Sequence, residues 1–252
     1  MKLFIKRDIV KVTETGKKTV EDAIAVERRL RLLVNGEDVL SLYCSPSMIR
    51  ELVTGLVMTE GIMEGSLCIE RMSIEYNDEI IVDLPADGEI STRGAIRTSG
   101  CIGGVTYEHD KKPDKTVYSG GVSRATLIEL FGKFQSISES YRLTGCIHSA
   151  AVSDEGNIIV HGEDIGRHNA VDKVIGYCLI EGISLDDKIM LVSGRLSSEI
   201  AYKCARWKVP IVASRTAPTI RAVTIAEESG VTLIGFLRGK RFNIYANPER
   251  IL

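Results

Sequence analysis

KIMLVSGRLSSEIAYKCARWKVPIVASRTAPTIRAVTIAEESGVTLIGFL, residues 188–237, holds three short apolar runs separated by two longer segments. The runs KIMLVS, PIVAS and VTLIGFL are nearly continuous in apolar residues, as strands buried on both faces are. Between them, Ser197–Trp207 and Pro218–Ser229 have the length and spacing of helices. Strands alternating with helices predict a sheet covered on both faces, here a doubly wound α/β domain.

The same alternation continues outward. A helix is expected over Ser123–Tyr141, then a strand pair, CIHSAAVSD and NIIVH, turning at Glu155-Gly156. Another helix is expected over Arg167–Glu181, and RFNIYA closes the chain as a last strand. Towards the amino terminus, AIAVERRLRLLV and EDVLSLYC flank Asn35-Gly36, the dipeptide of a tight hairpin turn. A helix with Pro46 in its first turn and an apolar face of Leu52, Leu56 and Met63 should follow, then two short strands around Asn77-Asp78. From Pro85 to Gly121 periodicity fails, and a segment this long without it reads as a functional or disordered loop. The expected organisation is a tail over 1–19, a smaller α+β domain over 20–84, a flexible loop over 85–121 and a layered α/β domain over 122–252.

Composition narrows the possible partners. The 252 residues carry 32 basic and 34 acidic side chains, a net charge of -2 that gives no general attraction to nucleic acid or anionic membrane. No run approaches the ~18 apolar residues of a membrane span. MKLFIKRDIVKVTETGKK has too few apolar residues between its charges for a secretory signal, so a cytoplasmic protein with reduced thiols is expected. The six cysteines are at least 24 residues apart, which rules out C-x-x-C and zinc-ribbon spacing, and no structural metal is expected.

Open α/β sheets bind ligands beyond the carboxyl ends of their strands. Three strand-to-helix connections supply polar residues there: HGEDIGRHN (161–169), SGRLSSE (193–199) and SRTAPT (214–219). In the first, Arg167 and His168 stand at a helix start, where free N–H groups favour an anion. A capped helix with a hydrogen-bonded histidine explains the same residues equally well. Ser193, Gly194 and Arg195 offer close backbone approach and a guanidinium fork, and Ser214 with Arg215 repeats the pattern. Three such connections on one edge favour an anionic, phosphate-bearing ligand.

Cys101 lies within Gly100-Cys101-Ile102-Gly103-Gly104, on the long loop and close in sequence to Arg93 and Arg97, which favour a thiolate. It is expected to be exposed and mobile; the other five cysteines read as small buried hydrophobes. His161-Gly162-Glu163 matches the H-x-E of zinc deaminases, but the P-C-x-x-C partner is missing, so the match reads as accidental.

TGCIHSAAV (144–152), GEDIGRHNAVDKVIG (162–176), VSGRLSSEIAYK (192–203) and TLIGFLRGKRFNIYANPERI (232–251) resemble the FdhD family in order and spacing, as does EGI (60–62). The resemblance runs from about Val20 to the end. It implies a sulfur carrier that takes sulfur from a cysteine desulfurase as a cysteine persulfide. The sulfur then passes to the molybdenum of a bis(molybdopterin guanine dinucleotide) cofactor needed by formate dehydrogenase. It further implies a cytidine-deaminase-like main domain without zinc, and a homodimer. The family's sulfur-carrying loop often reads C-x-x-C; here its first position is Cys101 and its second is Gly104. The family's cofactor-binding stretch matches Phe236, Leu237, Arg238, Gly239, Lys240 and Arg241. Two other classes fit the residues: a nucleotide hydrolase or deaminase with His168 as base, and a non-catalytic cofactor chaperone.

Overall fold

The computed structural model describes residues 1–90, 95–97, 105–107 and 113–252. The chain opens with a β-ribbon, β1 (Phe4–Thr13) paired antiparallel with β2 (Gly16–Ala25). This replaces the tail expected over 1–19. Its charges and scattered apolar residues form no one-sided stripe, yet all ten cross-strand positions are in register.

The Asn35-Gly36 hairpin joins β3 (Arg28–Val34) to β4 (Glu37–Cys44), both turn residues having positive φ. Helix α1 (Ile49–Glu60) follows, ended by Gly61 in the left-handed region. Pro46 precedes the helix instead of entering it, because Ser45–Ser47 is already a turn anchored elsewhere, as shown below. Met63 belongs to β5 (Met63–Leu67) and not to the helix face. Then come β6 (Ser73–Tyr76) and β7 (Ile80–Leu84), which complete a four-stranded sheet of order β4-β3-β7-β6. Leu30, Leu32 and Val34 alternate inward from it to pack with Leu52, Val53 and Leu56 of α1.

The segment 85–121 is not structureless where it is described. It contains β8 (Ala86–Ile90), paired with β5, and β9 (Ala95–Arg97), paired antiparallel with β10 (Val105–Tyr107). Cys101 falls between β9 and β10 in sequence, outside the described residues.

Next is α2 (Arg124–Ile137), capped by Ser123, whose Oγ accepts from the Thr126 N–H at 3.1 Å. The helix expected through Tyr141 breaks at Ser138, and α3 (Glu139–Thr144) starts anew with Ser138 as its cap, Oγ accepting from the Tyr141 N–H at 3.3 Å and donating to Glu163. The main sheet comprises β11 (His148–Ser153), β12 (Ile158–Asp164), β13 (Ile189–Val192), β14 (Ile211–Ser214), β15 (Thr232–Arg238) and β16 (Arg241–Ala246). Interleaved are α4 (Arg167–Ile180), α5 (Ser198–Arg206) and α6 (Ile220–Ser229). Strand order is β12-β11-β13-β14-β15-β16; β13, β14 and β15 are parallel.

Odd and even residues of the strands separate two cores. Met190, Val192 and Val212 pack with α4, α5 and α6; Ile189, Leu191 and Ala213 pack with Leu127, Leu130 and Phe134 of α2. The sheet is therefore layered on both faces, but it is not doubly wound. Strand order advances one way through β13-α5-β14-α6-β15, so both right-handed crossovers lie on one face.

The N-terminal unit is fixed to this domain where α1 crosses α4. A Cβ on Gly55 would lie 1.9 Å from the Asp172 carbonyl oxygen, and one on Gly176 1.9 Å from that of Glu51. Only glycine permits this approach. Gly176→Ala must push the helices apart and is expected to lose at least about 1–3 kcal/mol, the usual range for overpacking. Urea unfolding measures it.

Candidate functional site

The carboxyl ends of β12, β13, β14 and β15 meet on one edge of the sheet, where β11 and β16 begin. Connections 193–197 and 215–219 are zipped together there. The Leu196 N–H donates to the Ala217 carbonyl at 3.2 Å, and the Thr219 N–H to the Leu196 carbonyl at 2.9 Å. Beside them, on the α2–α3 side, opens a cleft of about 420 Å³. Phe131, Phe134, Tyr141 and Ile147 give it an apolar wall, and Cys146, His148, Ser193, Arg215, Thr216 and Arg238 face it from the sheet edge.

The hydroxyls and arginines are positioned by the backbone. Ser193 Oγ accepts from the Ser149 N–H at 2.9 Å and lies 3.3 Å from His148 Nδ1. Burial first, then Arg167 and Arg195, hold the His148 imidazole below its ordinary range, so it is neutral at pH 7. Arg238 is held through Nε, which donates to the Arg215 carbonyl at 3.1 Å, and both exposed arginines line the cleft. Two cations, a hydroxyl and an aromatic wall can hold an anionic ligand with a flat apolar part.

Of the residues anticipated for this site, Ser193, Arg215 and Arg238 line the cleft. Ser214 lies beneath it, fully buried, donating to the Gly194 carbonyl at 2.6 Å. A Cβ on Gly194 would sit 3.1 Å from the buried Arg167 side chain, so Gly194 and Arg167 form the layer behind His148. Arg195 is exposed on the same connection. Phe236 is exposed at φ 54, in a bulge that turns Leu237 fully into the core with Leu130 and Phe131. Leu237 therefore packs the fold and presents no side chain to a ligand. Gly239 and Lys240 form the hairpin turn and Arg241 starts β16, all exposed and none among the cleft's lining. His148 was not anticipated, and Cys146, read as a small buried hydrophobe, is exposed on the cleft wall. Cys146 stands just before β11 and His148 at its start, with Ile147 between them on the same cleft, next to the buried run that TGCIHSAAV already contained.

His168 faces away from the cleft. Its Nε2 lies 3.2 Å from Ser197 Oγ and 3.9 Å from Glu199, at the start of α5. Burial, then Lys203 and Arg167, depress its pKa to about 3. The unfolded chain takes up a proton near pH 6.5 and the folded chain does not. The stabilisation is thus complete above 6.5 and declines as pH falls toward 3, by about 1.4 kcal/mol per unit. Thermal midpoints measured from pH 7.5 to 5 should fall, and fall less steeply in His168→Gln.

The rest of the 162–176 motif joins the two units. Asp164 accepts from the Ser45 N–H at 3.0 Å and pairs with Lys173 at 2.7 Å, while Lys173 also donates to the Ser45 carbonyl at 3.1 Å. Asp164 does not cap α4 directly; Gly166 does, its N–H donating to Asp164 at 2.8 Å. Asp172 accepts from Thr59 at 2.7 Å, and Lys203 bridges Asp172 at 2.6 Å and Glu60 at 2.8 Å. Glu163 accepts from Ser138 and, at 2.8 Å, from Ser140, while His161 stacks edge-on against Phe134. His161 and Glu163 thus anchor α2 and α3. Among the described residues no three His, Cys, Asp or Glu side chains are grouped as metal ligands.

A family model, FdhD/NarQ, matches residues 25–252. The "Sulfur carrier protein FdhD" of Bacillus subtilis (strain 168) is 36% identical over 259 residues, covering 99% of this chain and 98% of that protein. The protein of the same name from Staphylococcus aureus (strain Newman) is 37% identical over 241 residues, covering 92% and 90%. A crystal structure described as a formate dehydrogenase accessory protein from Desulfotalea psychrophila aligns with TM-score 0.84 and 26% identity over the whole of both chains.

Proposed function

Because the chain belongs to the FdhD/NarQ family, we propose that it is a sulfur carrier serving formate dehydrogenase. Cys101 takes a sulfane sulfur from the persulfide of a cysteine desulfurase. The chain delivers it to the molybdenum of a bis(molybdopterin guanine dinucleotide), the substrate of the transfer. It works as a homodimer in the cytoplasm, where thiols stay reduced, on a cytidine-deaminase-like layered domain without zinc.

The observation that carries this reading is the cleft at the sheet edge. The guanidiniums of Arg215 and Arg238 suit a pyrophosphate, and the exposed ring of Tyr141 suits a purine face. In loading, the Cys101 thiolate attacks the outer sulfur of the donor persulfide. That sulfur bonds to Cys101, the donor's S–S bond breaks and its cysteine leaves as thiolate, so no oxidant or reductant is consumed.

Intact mass before and after incubation with a desulfurase and cysteine is the test. One sulfur atom's mass should be gained and then lost on adding reductant; no gain sinks the proposal. For the cleft, Arg215→Ala and Arg238→Ala should each weaken guanosine diphosphate binding about tenfold or more, since a charge-assisted hydrogen bond contributes roughly 1.5–3 kcal/mol. Arg241→Ala, beyond the turn, should lose less. Titration calorimetry showing wild-type affinity for both cleft variants would remove the cleft from the site.

A further inference from the structure

The β1–β2 ribbon, two strands of ten residues, pairs with no other strand among the described residues. An isolated two-stranded ribbon is marginal at best in water, and an open strand edge is a template for another strand. Helix α3 adjoins β2, yet Lys17, Lys18, Thr19, Glu21 and Asp22 remain exposed. Ile5, Val10, Val12 and Ile24 are exposed on the same ribbon.

Its charges are unevenly matched. Asp22 stands opposite Arg7, but Lys18 stands opposite Lys11. Like charges directly opposite each other destabilise a strand pair. The sequence of β2, GKKTVEDAIA, relieves this clash when it meets a copy of itself. In a symmetric antiparallel pair a residue can oppose only a partner residue of its own parity, because successive side chains alternate faces. With Val20 set against the partner's Val20, Lys18 falls opposite the partner's Asp22, and symmetry makes that contact twice. One face then reads, across the joined strands, Lys11, Lys18, the partner's Asp22 and the partner's Arg7. At the axis, the pair Ile9 and Val20 continues into the partner's Val20 and the partner's Ile9 as an apolar row. The outer edge of β1 offers no such register. Its one acid, Asp8, shares parity with a single cation, Lys6, and pairing those two sets Arg7 against the partner's Arg7.

We propose that β2 is the self-pairing edge of a homodimer, joining two ribbons into a four-stranded antiparallel sheet about a two-fold axis at Val20. This rests on the homodimer of the sulfur-carrier reading above and gives it a surface. The partner that fits the edge is a second copy of this chain, because the same strand supplies both the cation and the anion at matching distances from one residue.

Sedimentation equilibrium of the full-length wild type, two charge reversals and their mixture tests it. Lys18→Glu sets two carboxylates against each other on either side of the axis, and Asp22→Lys does the same with two ammonium groups. Each variant alone should therefore have half the wild-type mass. Mixed one to one, each reversal supplies the opposite charge that the other lacks, so the wild-type mass should return. That recovery also shows that both variants are folded. Reversals that keep the wild-type mass, or that halve it without recovery on mixing, overturn the edge and leave a homodimer built elsewhere. A monomeric wild type overturns the edge and the homodimer together. Sulfur uptake from a desulfurase and cysteine, read by intact mass on the same wild-type sample, decides the carrier reading separately.

Discussion

Lys203→Met should destabilise the protein by about 3–5 kcal/mol, the usual loss when one member of a buried ion pair is removed. Lys203, Glu60 and Asp172 have side-chain exposures of 2%, 3% and 1%, so water cannot replace the missing ammonium. Burial alone would lower the Lys203 pKa, but Asp172 and Glu60 outweigh it and hold the lysine charged. Two carboxylates share that one cation. Burial pushes Asp172 up to about 6, with Glu60 adding to the shift and Lys203 opposing it. Without Lys203 the two acids lose the cation they share. Adding Glu60→Gln and Asp172→Asn should therefore restore much of the loss. Urea unfolding midpoints for the single and triple variants measure this. A single variant as stable as the wild type would show that the network carries little of the fold's stability.

Cys101→Ser should reduce sulfur loading from one atom per chain to none and leave the unfolding midpoint unchanged. A hydroxyl keeps the shape of the side chain, but at neutral pH it lacks the ionised nucleophile that attacks a sulfane sulfur. Guanosine diphosphate binding should be unaffected, since the cleft residues are intact. Formate dehydrogenase matured with this variant should lack activity. Intact mass and calorimetry on one preparation separate the two functions, and mass gain in Cys101→Ser would show that another thiol accepts the sulfur first.

The main sheet was legible because its strands are buried on both sides and its helices carry one-sided stripes. The β1–β2 ribbon was not, since alternating charges and isolated apolar residues such as Val10 and Val12 remain exposed in the folded chain. At Ser138 the hydroxyl both accepts from the Tyr141 N–H as the cap of α3 and donates to Glu163, 25 residues away in sequence, and the second bond was not legible locally. At the site, the carboxyl-edge rule led to Ser193 and Arg215, and the family resemblance to Arg238. The edge rule overlooked Cys146 and His148, which reach the same edge from the start of an antiparallel strand. Leu237 was drawn into the site by the family resemblance over 236–241, although the strand turns its side chain inward. The 162–176 motif is dense in polar residues mainly because it must satisfy buried groups of α1 and the Ser45 turn.

The glycine-to-glycine crossing of α1 and α4 bears on how the cleft can change shape. With two backbones in direct contact, no layer of side chains can slide or repack, so a shear between the two units has nothing to run on. The sheet edge and everything behind it form a fixed anvil. Any widening that the proposed dinucleotide would need falls to the opposite jaw, α2 and α3, which is divided at Ser138 and tied to the sheet through the serine pair on Glu163.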